Sequence, residues 1–93
     1  MALARAHAIV HGMVQGVGFR YSTIREAEER GLTGWVRNTY EGTVEAVFEG
    51  EKDDVEDIVA WCRRGPVSAD VSKVDVTWET PAKPQYKAFS IKY

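Results

Sequence analysis

The residues with the clearest chemical potential form a glycine-rich segment from Gly12 to Arg20, which reads GMVQGVGFR. Glycines allow neighbouring backbone N–H groups to converge on one point, and a helix that begins here would add the partial positive charge of its N-terminus. Together these features are typical of an anion-binding loop. A tight turn with a purely structural role is the alternative at this point.

The starts of the two predicted helices differ in charge. The second begins with Glu51, Asp53 and Asp54, whereas the first begins at Arg20 and has no acidic residue before Glu26. A cation at a helix N-terminus is unfavourable by itself, and a bound anion would reverse that penalty. We therefore predict that a phosphate-like anion binds here. The alternative is that Arg20 is simply solvated.

A second segment, Gly34 to Asn38, reads GWVRN and ends the second predicted strand. In a unit of strand, helix, strand and strand with one crossover, the first two strands are parallel and flank the third. Their carboxyl ends then lie at one edge of the sheet, roughly 10 Å apart. Asn38 and the glycine-rich loop can therefore meet at one site. A turn residue that caps its own hairpin is the alternative role for Asn38.

These segments lie within a regular alternation of strand and helix patterns. Alternating and β-branched residues predict strands over Ala4–Gly12, Leu32–Asn38, Thr43–Phe48, Val71–Trp78 and Ala88–Tyr93. Helices are predicted over Arg20–Arg30, with Tyr21, Ile24 and Ala27 on one stripe, and over Glu51–Arg64, with Val55, Ile58, Val59 and Cys62 on another. This order predicts an α+β fold, the ferredoxin-like split βαβ sandwich. Its mainly antiparallel sheet would carry two helices on one face and a short C-terminal edge strand.

Length and charge limit the class of protein. The 93 residues predict a single domain, residues 1–93, complete in itself. A net charge of −2, from 12 basic and 14 acidic side chains, argues against a nucleic-acid-binding protein. No apolar run approaches the roughly 20 residues of a membrane span, and the N-terminus has no signal-peptide core. The single cysteine, Cys62, rules out an internal disulfide and favours the cytoplasm.

No metal site is predicted. His7 and His11 are four residues apart on a predicted strand, which separates them by roughly 13 Å, too far to share an ion. Cys62 lies on an apolar helical stripe and is expected in the core rather than as a nucleophile.

The two segments together closely resemble the acylphosphatase family. The resemblance rests on VQGVGFR at Val14–Arg20, GWVRN at Gly34–Asn38 and the closing FSIKY at Phe89–Tyr93, and it extends over the whole chain. It implies hydrolysis of an acyl phosphate, with inorganic phosphate as product, by a monomer that needs no cofactor, nucleic acid or membrane. It implies that Arg20 binds the phosphoryl group and that Asn38 positions the attacking water. The loop amides that complete the phosphate site would come from Gln15, Gly16, Val17, Gly18 and Phe19.

Two further residues are candidates for a supporting role, Thr39 beside Asn38 and Tyr93 at the end of the chain. The fifth strand should run back toward the site, which would bring the Tyr93 carboxylate near Arg20. Two non-catalytic alternatives share the fold. One is an acyl- or carbamoyl-phosphate-binding module such as those in longer maturation proteins. The other is an RNA-recognition-motif-like binder, which would need aromatic residues in a basic setting on the middle strands.

Overall fold

The computed structural model describes residues 2–93, so Met1, the first residue of the predicted domain, lies outside them. The elements follow in the order βαββαββ. The strands are β1 (Leu3–Met13), β2 (Thr33–Asn38), β3 (Val44–Glu51), β4 (Asp70–Glu79) and β5 (Phe89–Ile91). The helices are α1 (Phe19–Glu29) and α2 (Lys52–Arg64). Each element lies where the sequence predicts it, with ends that shift by at most three residues.

The strands form one sheet in the order β4-β1-β3-β2-β5. Every neighbouring pair is antiparallel except β2 and β5, which are parallel. Because β1 and β2 are both antiparallel to β3, they run in the same direction. Val10 and Asn38 both pair with Val44, so the pairing of β1 and of β2 with β3 ends on one row of the sheet. The predicted ferredoxin-like α+β fold is confirmed.

The last strand ends at the same edge of the sheet. Val36 pairs with Ile91, and the N–H of Lys92 donates to the carbonyl oxygen of Val36 at 2.9 Å. Two residues further along both parallel strands, Tyr93 is level with Asn38. The predicted return of the fifth strand toward this edge is therefore confirmed.

The core lies between the helices and one face of the sheet. Strand β1 turns the small side chains of Ala4, Ala6, Ala8 and Val10 toward it, and α2 contributes the predicted stripe of Val55, Ile58, Val59 and Cys62. Burial of these apolar groups supplies the main driving force for folding, at about 25 cal/mol per Å².

The stripe predicted for α1 is partly wrong. Ala27 is buried and Ile24 packs against the core, but Tyr21 is 65% exposed. The buried positions of α1 are Phe19, Thr23 and Ala27, which are spaced by four residues. The prediction missed this face because it placed Phe19 in the loop, one residue before the helix, and so rotated the stripe toward Tyr21.

Phe19 fixes the start of α1 against α2. Its ring is buried, and its centroid lies 5.4 Å from that of Trp61. Tilted aromatic pairs of this kind contribute about 0.5–1.5 kcal/mol beyond the burial of their area. The first turn of α1, which follows the glycine-rich loop, is therefore held by a rigid contact with the core.

The other face of the sheet is crossed by the segment that joins β4 to β5. Glu49 on β3 holds it there, since its carboxylate accepts hydrogen bonds from the N–H groups of Gln85 at 2.8 Å and Tyr86 at 3.1 Å. Arg5 forms an ion pair with the same carboxylate at 2.8 Å. Burial alone would raise the pKa of Glu49, but these hydrogen bonds and the guanidinium of Arg5 outweigh it, so the net pKa is lowered.

Glu49→Gln should therefore destabilise the fold at neutral pH, by about 3 kcal/mol, because it leaves the partly buried Arg5 without its main counter-charge. The lowered pKa of Glu49 stabilises the protein fully above the unfolded-state pKa of about 4.3, and that contribution is lost as the pH falls through the folded-state value. Urea denaturation at pH 7 and at pH 3 measures the effect. The difference between wild type and variant should shrink at the lower pH.

Glu79→Gln is the matched control, since Glu79 pairs with the same Arg5 at 3.2 Å but is half exposed. Such pairs contribute about 0–1 kcal/mol. Equal losses in the two variants at pH 7 would show that the buried contacts of Glu49 are unimportant.

Candidate active site

The N-terminal end of α1 has the features that favour an anion. Gly16 and Gly18 adopt the left-handed conformation, with φ of 76° and 77°. Gly18 is the N-cap and offers no side-chain hydrogen bond, and the first turn contains no acidic residue. The first turn of α2, in contrast, contains Asp53 and Asp54. The first N–H groups of α1 have no intrahelical acceptors, so they and the helix dipole favour a negative charge at this point.

The geometry brings the two sequence segments together around one cavity of about 170 Å³. Its walls come from the glycine-rich loop, the first turn of α1 and the end of β2; they are Val14, Gly16, Gly18, Phe19, Arg20, Tyr21 and Asn38. Arg20 and Asn38, which lie on different elements, therefore line the same space. Of the other predicted loop residues, Gly16, Gly18 and Phe19 line it, whereas Gln15 and Val17 do not.

Two larger concavities lie elsewhere on the molecule. One, of about 530 Å³, lies beside Lys52 and Trp78, and the other, of about 400 Å³, lies on the open face of the sheet beside Arg5. In both, the cation already faces a carboxylate, Glu56 for Lys52 and Glu49 for Arg5. Although these two concavities are larger, neither Lys52 nor Arg5 is left unpaired to bind an anionic ligand.

Arg20 differs from the other arginines with similar burial. Arg5, Arg20 and Arg30 are each half-buried. Arg5 and Arg30 pair with two carboxylates each. Within residues 2–93, no carboxylate oxygen lies within 4 Å of the guanidinium of Arg20. A partly buried charge is normally compensated, so Arg20 is the cation that remains available for an incoming anion.

Asn38 also has an unused polar group. It follows Val36 by two positions on β2, and this alternation turns it toward the helix-covered face of the sheet. Its Oδ1 is buried and has no hydrogen-bond partner among residues 2–93. A buried acceptor left unpaired costs about 1–3 kcal/mol. The Asn38 side chain is therefore placed where a ligand or a bound water would satisfy it.

The hairpin after Asn38 is closed by other residues. The N–H of Thr39 donates to the carbonyl oxygen of Thr43 at 2.9 Å, and the two threonine hydroxyls lie 2.6 Å apart. These contacts give Thr39 a place in the turn rather than in the cavity. The alternative role of Asn38, as a residue that caps its own hairpin, is therefore filled by the threonines.

Tyr93 reaches Arg20, but through its ring. The guanidinium carbon of Arg20 lies 5.8 Å from the centroid of the Tyr93 ring. The Tyr93 carboxylate, which is expected from the sequence to lie near Arg20, forms no ion pair with it within 4 Å in the part of the chain that the structure describes. A cation over an aromatic face gains about 0.5–1 kcal/mol at exposed sites, so the ring can orient the guanidinium without neutralising it.

Two features of the site carried no signal in the sequence. Tyr21 lines the cavity, although its helical position alone suggested the core. Gln15 is exposed, and its side-chain nitrogen donates to the carbonyl oxygens of Thr39 at 2.8 Å and Thr43 at 2.9 Å. Gln15 and Thr39 are 24 residues apart, so no local sequence pattern predicts their contact, which depends on how the two loops meet in the folded protein.

The remaining reactive side chains lie elsewhere. His7 and His11 pair separately with Glu45 at 2.5 Å and Asp75 at 2.9 Å. Residues 2–93 contain no cluster of three or more side chains suited to a metal ion. Burial raises the pKa of the Cys62 thiol to about 12, so it is not a thiolate nucleophile near neutral pH. No helix in the same range has the length and apolar character needed to cross a membrane.

Comparison with known proteins decides the family. A family model described as acylphosphatase matches residues 6–91. The chain belongs to the acylphosphatase family. It is 61% identical over 79 residues to an acylphosphatase of Nostoc sp. strain PCC 7120, a match that spans 85% of this chain and 78% of the relative. As a member of this family it is an enzyme, and its cavity with Arg20 and Asn38 is the candidate active site.

Solved structures give the same result. The crystal structure of acylphosphatase from Bacillus subtilis superposes with a TM-score of 0.91, at 37% identity and with 97% of this chain and 99% of that chain covered. HypF from T. kodakarensis is also similar, with a TM-score of 0.80 and 30% identity. There the match covers 95% of this chain but 12% of that chain, so an acylphosphatase-like unit also occurs within a much longer protein.

Proposed function

We propose that this enzyme hydrolyses acyl phosphates to a carboxylate and inorganic phosphate by direct in-line attack of water. The observation that carries this proposal is the pairing of two groups in one cavity of about 170 Å³. Within residues 2–93, the guanidinium of Arg20 has no carboxylate partner and the amide oxygen of Asn38 has no hydrogen-bond partner. One group suits a phosphoryl oxygen and the other suits a water molecule.

The phosphoryl group would be held by Arg20 and the backbone amides of the segment from Gln15 to Arg20. The transition state for phosphoryl transfer spreads negative charge over three equatorial oxygens. A planar guanidinium can donate two parallel hydrogen bonds, and converging amides can donate the others. The dipole of α1 would also stabilise this negative charge, because the first turn of the helix has no acidic residue that would oppose an anion.

The water would be placed by Asn38. Its Oδ1 can accept a hydrogen bond from a water molecule and so direct one lone pair toward the phosphorus. A phosphoryl oxygen of the substrate could accept the proton that the water loses. The leaving carboxylate has a conjugate-acid pKa of about 4, so it departs without a general acid. This agrees with a cavity in which Arg20 is the one titratable side chain besides the exposed Tyr21.

Hydrolysis of benzoyl phosphate, followed by the loss of its ultraviolet absorbance, tests the proposal directly. We expect turnover that is unchanged by a strong chelator, because Arg20 and the helix end supply the positive charge that a metal ion would otherwise provide. The assay is run with and without chelator, and again after addition of Mg²⁺. Activity that is lost with chelator and restored by a divalent ion would contradict the metal-independent mechanism.

The similarity to part of HypF supports one alternative function. In this alternative, the protein is a module that binds an acyl or carbamoyl phosphate without hydrolysing it. Saturable binding of inorganic phosphate without turnover of benzoyl phosphate would favour that alternative. An RNA-binding role has less support, because the segment held by Glu49 covers part of the open face of the sheet. The middle strands turn His7, Glu45 and Val47 to that face. The His7 ring is hydrogen-bonded to Glu45, and Phe48, the aromatic residue of β3, is buried in the core rather than exposed for base stacking.

We further infer that the enzyme acts as a monomer in the cytoplasm. One chain supplies both Arg20 and Asn38 to the cavity, so the proposed chemistry needs no second copy. The single cysteine, Cys62, is buried and free, as suits a reducing compartment.

A further inference from the structure

The proposed active site is assembled from two parts of the chain that are far apart in sequence. The glycine-rich loop and α1 provide Arg20 and the amides, and the β2–β3 hairpin provides Asn38. In-line attack requires the water and the phosphorus to be aligned, and misplacement by about 1 Å can lower a rate a hundredfold. The contact that fixes one part against the other therefore matters for catalysis.

Gln15 makes that contact. Its Nε2 donates to the carbonyl oxygens of Thr39 at 2.8 Å and Thr43 at 2.9 Å, so both of its amide hydrogens are used. The same two carbonyl oxygens accept the backbone bonds that close the hairpin, from Gly42 at 3.3 Å and from Thr39 at 2.9 Å. Within residues 2–93, no other side-chain hydrogen bond joins the loop at 14–18 to the hairpin at 39–43.

Packing does not explain this pair of bonds. Gln15 is exposed and does not line the cavity, so its side chain neither fills the core nor reaches the space assigned to the phosphoryl group. Its neighbour Val14 is buried, and Thr39 directly follows Asn38. Gln15 thus connects a residue fixed in the core to the residue adjoining the proposed water-positioning group.

We propose that Gln15 is a positioning residue, which sets the distance between the amide of Asn38 and the phosphoryl-binding loop through its two hydrogen bonds to the hairpin. This inference rests on the proposed function. In this inference the Gln15 side chain aligns the hairpin with the loop, while the backbone N–H of Gln15 remains one of the loop amides proposed to bind the phosphoryl group. The bond to the hairpin needs a donor at this position, since both partners are carbonyl acceptors.

Two substitutions of similar length remove the donor. Gln15→Met leaves no polar group, and Gln15→Glu places carboxylate oxygens against two carbonyl oxygens. We expect both to lower kcat for benzoyl phosphate by roughly tenfold to a hundredfold. Gln15→Met should leave the inhibition constant of inorganic phosphate within about twofold of wild type, because Arg20 and the amides are untouched. Gln85→Met is the matched control, since Gln85 is the other glutamine of the chain and lies on the open face.

A double-mutant cycle separates alignment from a general effect on folding. If Gln15 acts through Asn38, Gln15→Met should lower kcat by less than about twofold in an Asn38→Ala background, because the group it aligns is then absent. Equal losses in both backgrounds would overturn the proposal, as would a Gln15→Met variant with wild-type kcat. A rise in the phosphate inhibition constant with unchanged kcat would instead assign the side chain to phosphate binding. Wild-type protein that fails to hydrolyse benzoyl phosphate would refute the proposed function itself.

Discussion

Replacing Arg20 with alanine should lower kcat/KM for acyl phosphate hydrolysis by roughly a thousandfold or more, the range seen when an arginine that stabilises phosphoryl transfer is removed. The guanidinium faces the proposed phosphoryl site without a protein counter-charge in residues 2–93, so its charge is fully available to the substrate. It would contact the phosphoryl group before and during the reaction. Binding and turnover should therefore both fall, and the inhibition constant of inorganic phosphate should rise together with the loss of kcat.

Two further variants make this result specific. Arg20→Lys should restore little activity, because a point charge cannot reproduce two parallel hydrogen bonds to one phosphoryl group. Arg25→Ala removes the same charge from an exposed position on the same helix and should leave the kinetics nearly unchanged. Wild-type values of both constants in Arg20→Ala would mean that the site lies elsewhere and that the glycine-rich segment is only a turn.

The fold could be predicted from the sequence because its signals are local. The stripe on α2 repeats with the helical period, and β1 alternates buried and half-buried residues. Gly31 adopts a φ of 66° just beyond α1, a conformation typical of the glycine that follows a helix. Even the meeting of Asn38 with the glycine-rich loop follows from topology, since parallel strands that flank a third must end at the same edge.

The parts that could not be predicted depend on contacts between distant segments. The two bonds of Gln15 depend on how the hairpin lies against the loop, and the path of the β4–β5 segment depends on the buried carboxylate of Glu49. The sequence misplaces Tyr21 because it leaves Phe19 outside the helix, so the predicted apolar stripe is centred about 100° from the face that is buried. The contact of Tyr93 with Arg20 was expected at the right end of the strand but through the wrong group.

Replacing Asn38 with alanine should lower kcat by roughly a hundredfold or more, while the inhibition constant of inorganic phosphate stays within about twofold. Asn38 would contact the water rather than the phosphoryl group, and the position of that water matters most in the transition state. The two constants should therefore separate in this variant, whereas they change together in Arg20→Ala. Steady-state kinetics with benzoyl phosphate and competition by inorganic phosphate measure both.

The same substitution makes an opposite prediction for stability. The Oδ1 of Asn38 is buried without a partner among residues 2–93, and such an unpaired acceptor costs about 1–3 kcal/mol. Asn38→Ala removes that acceptor, so its free energy of unfolding in urea should be no lower than that of wild type, even as kcat falls. A structural asparagine would give the reverse pattern, with a loss of stability and nearly unchanged turnover. A variant that loses phosphate binding but keeps its kcat would show that Asn38 contacts the phosphoryl group and that the water is positioned by another residue.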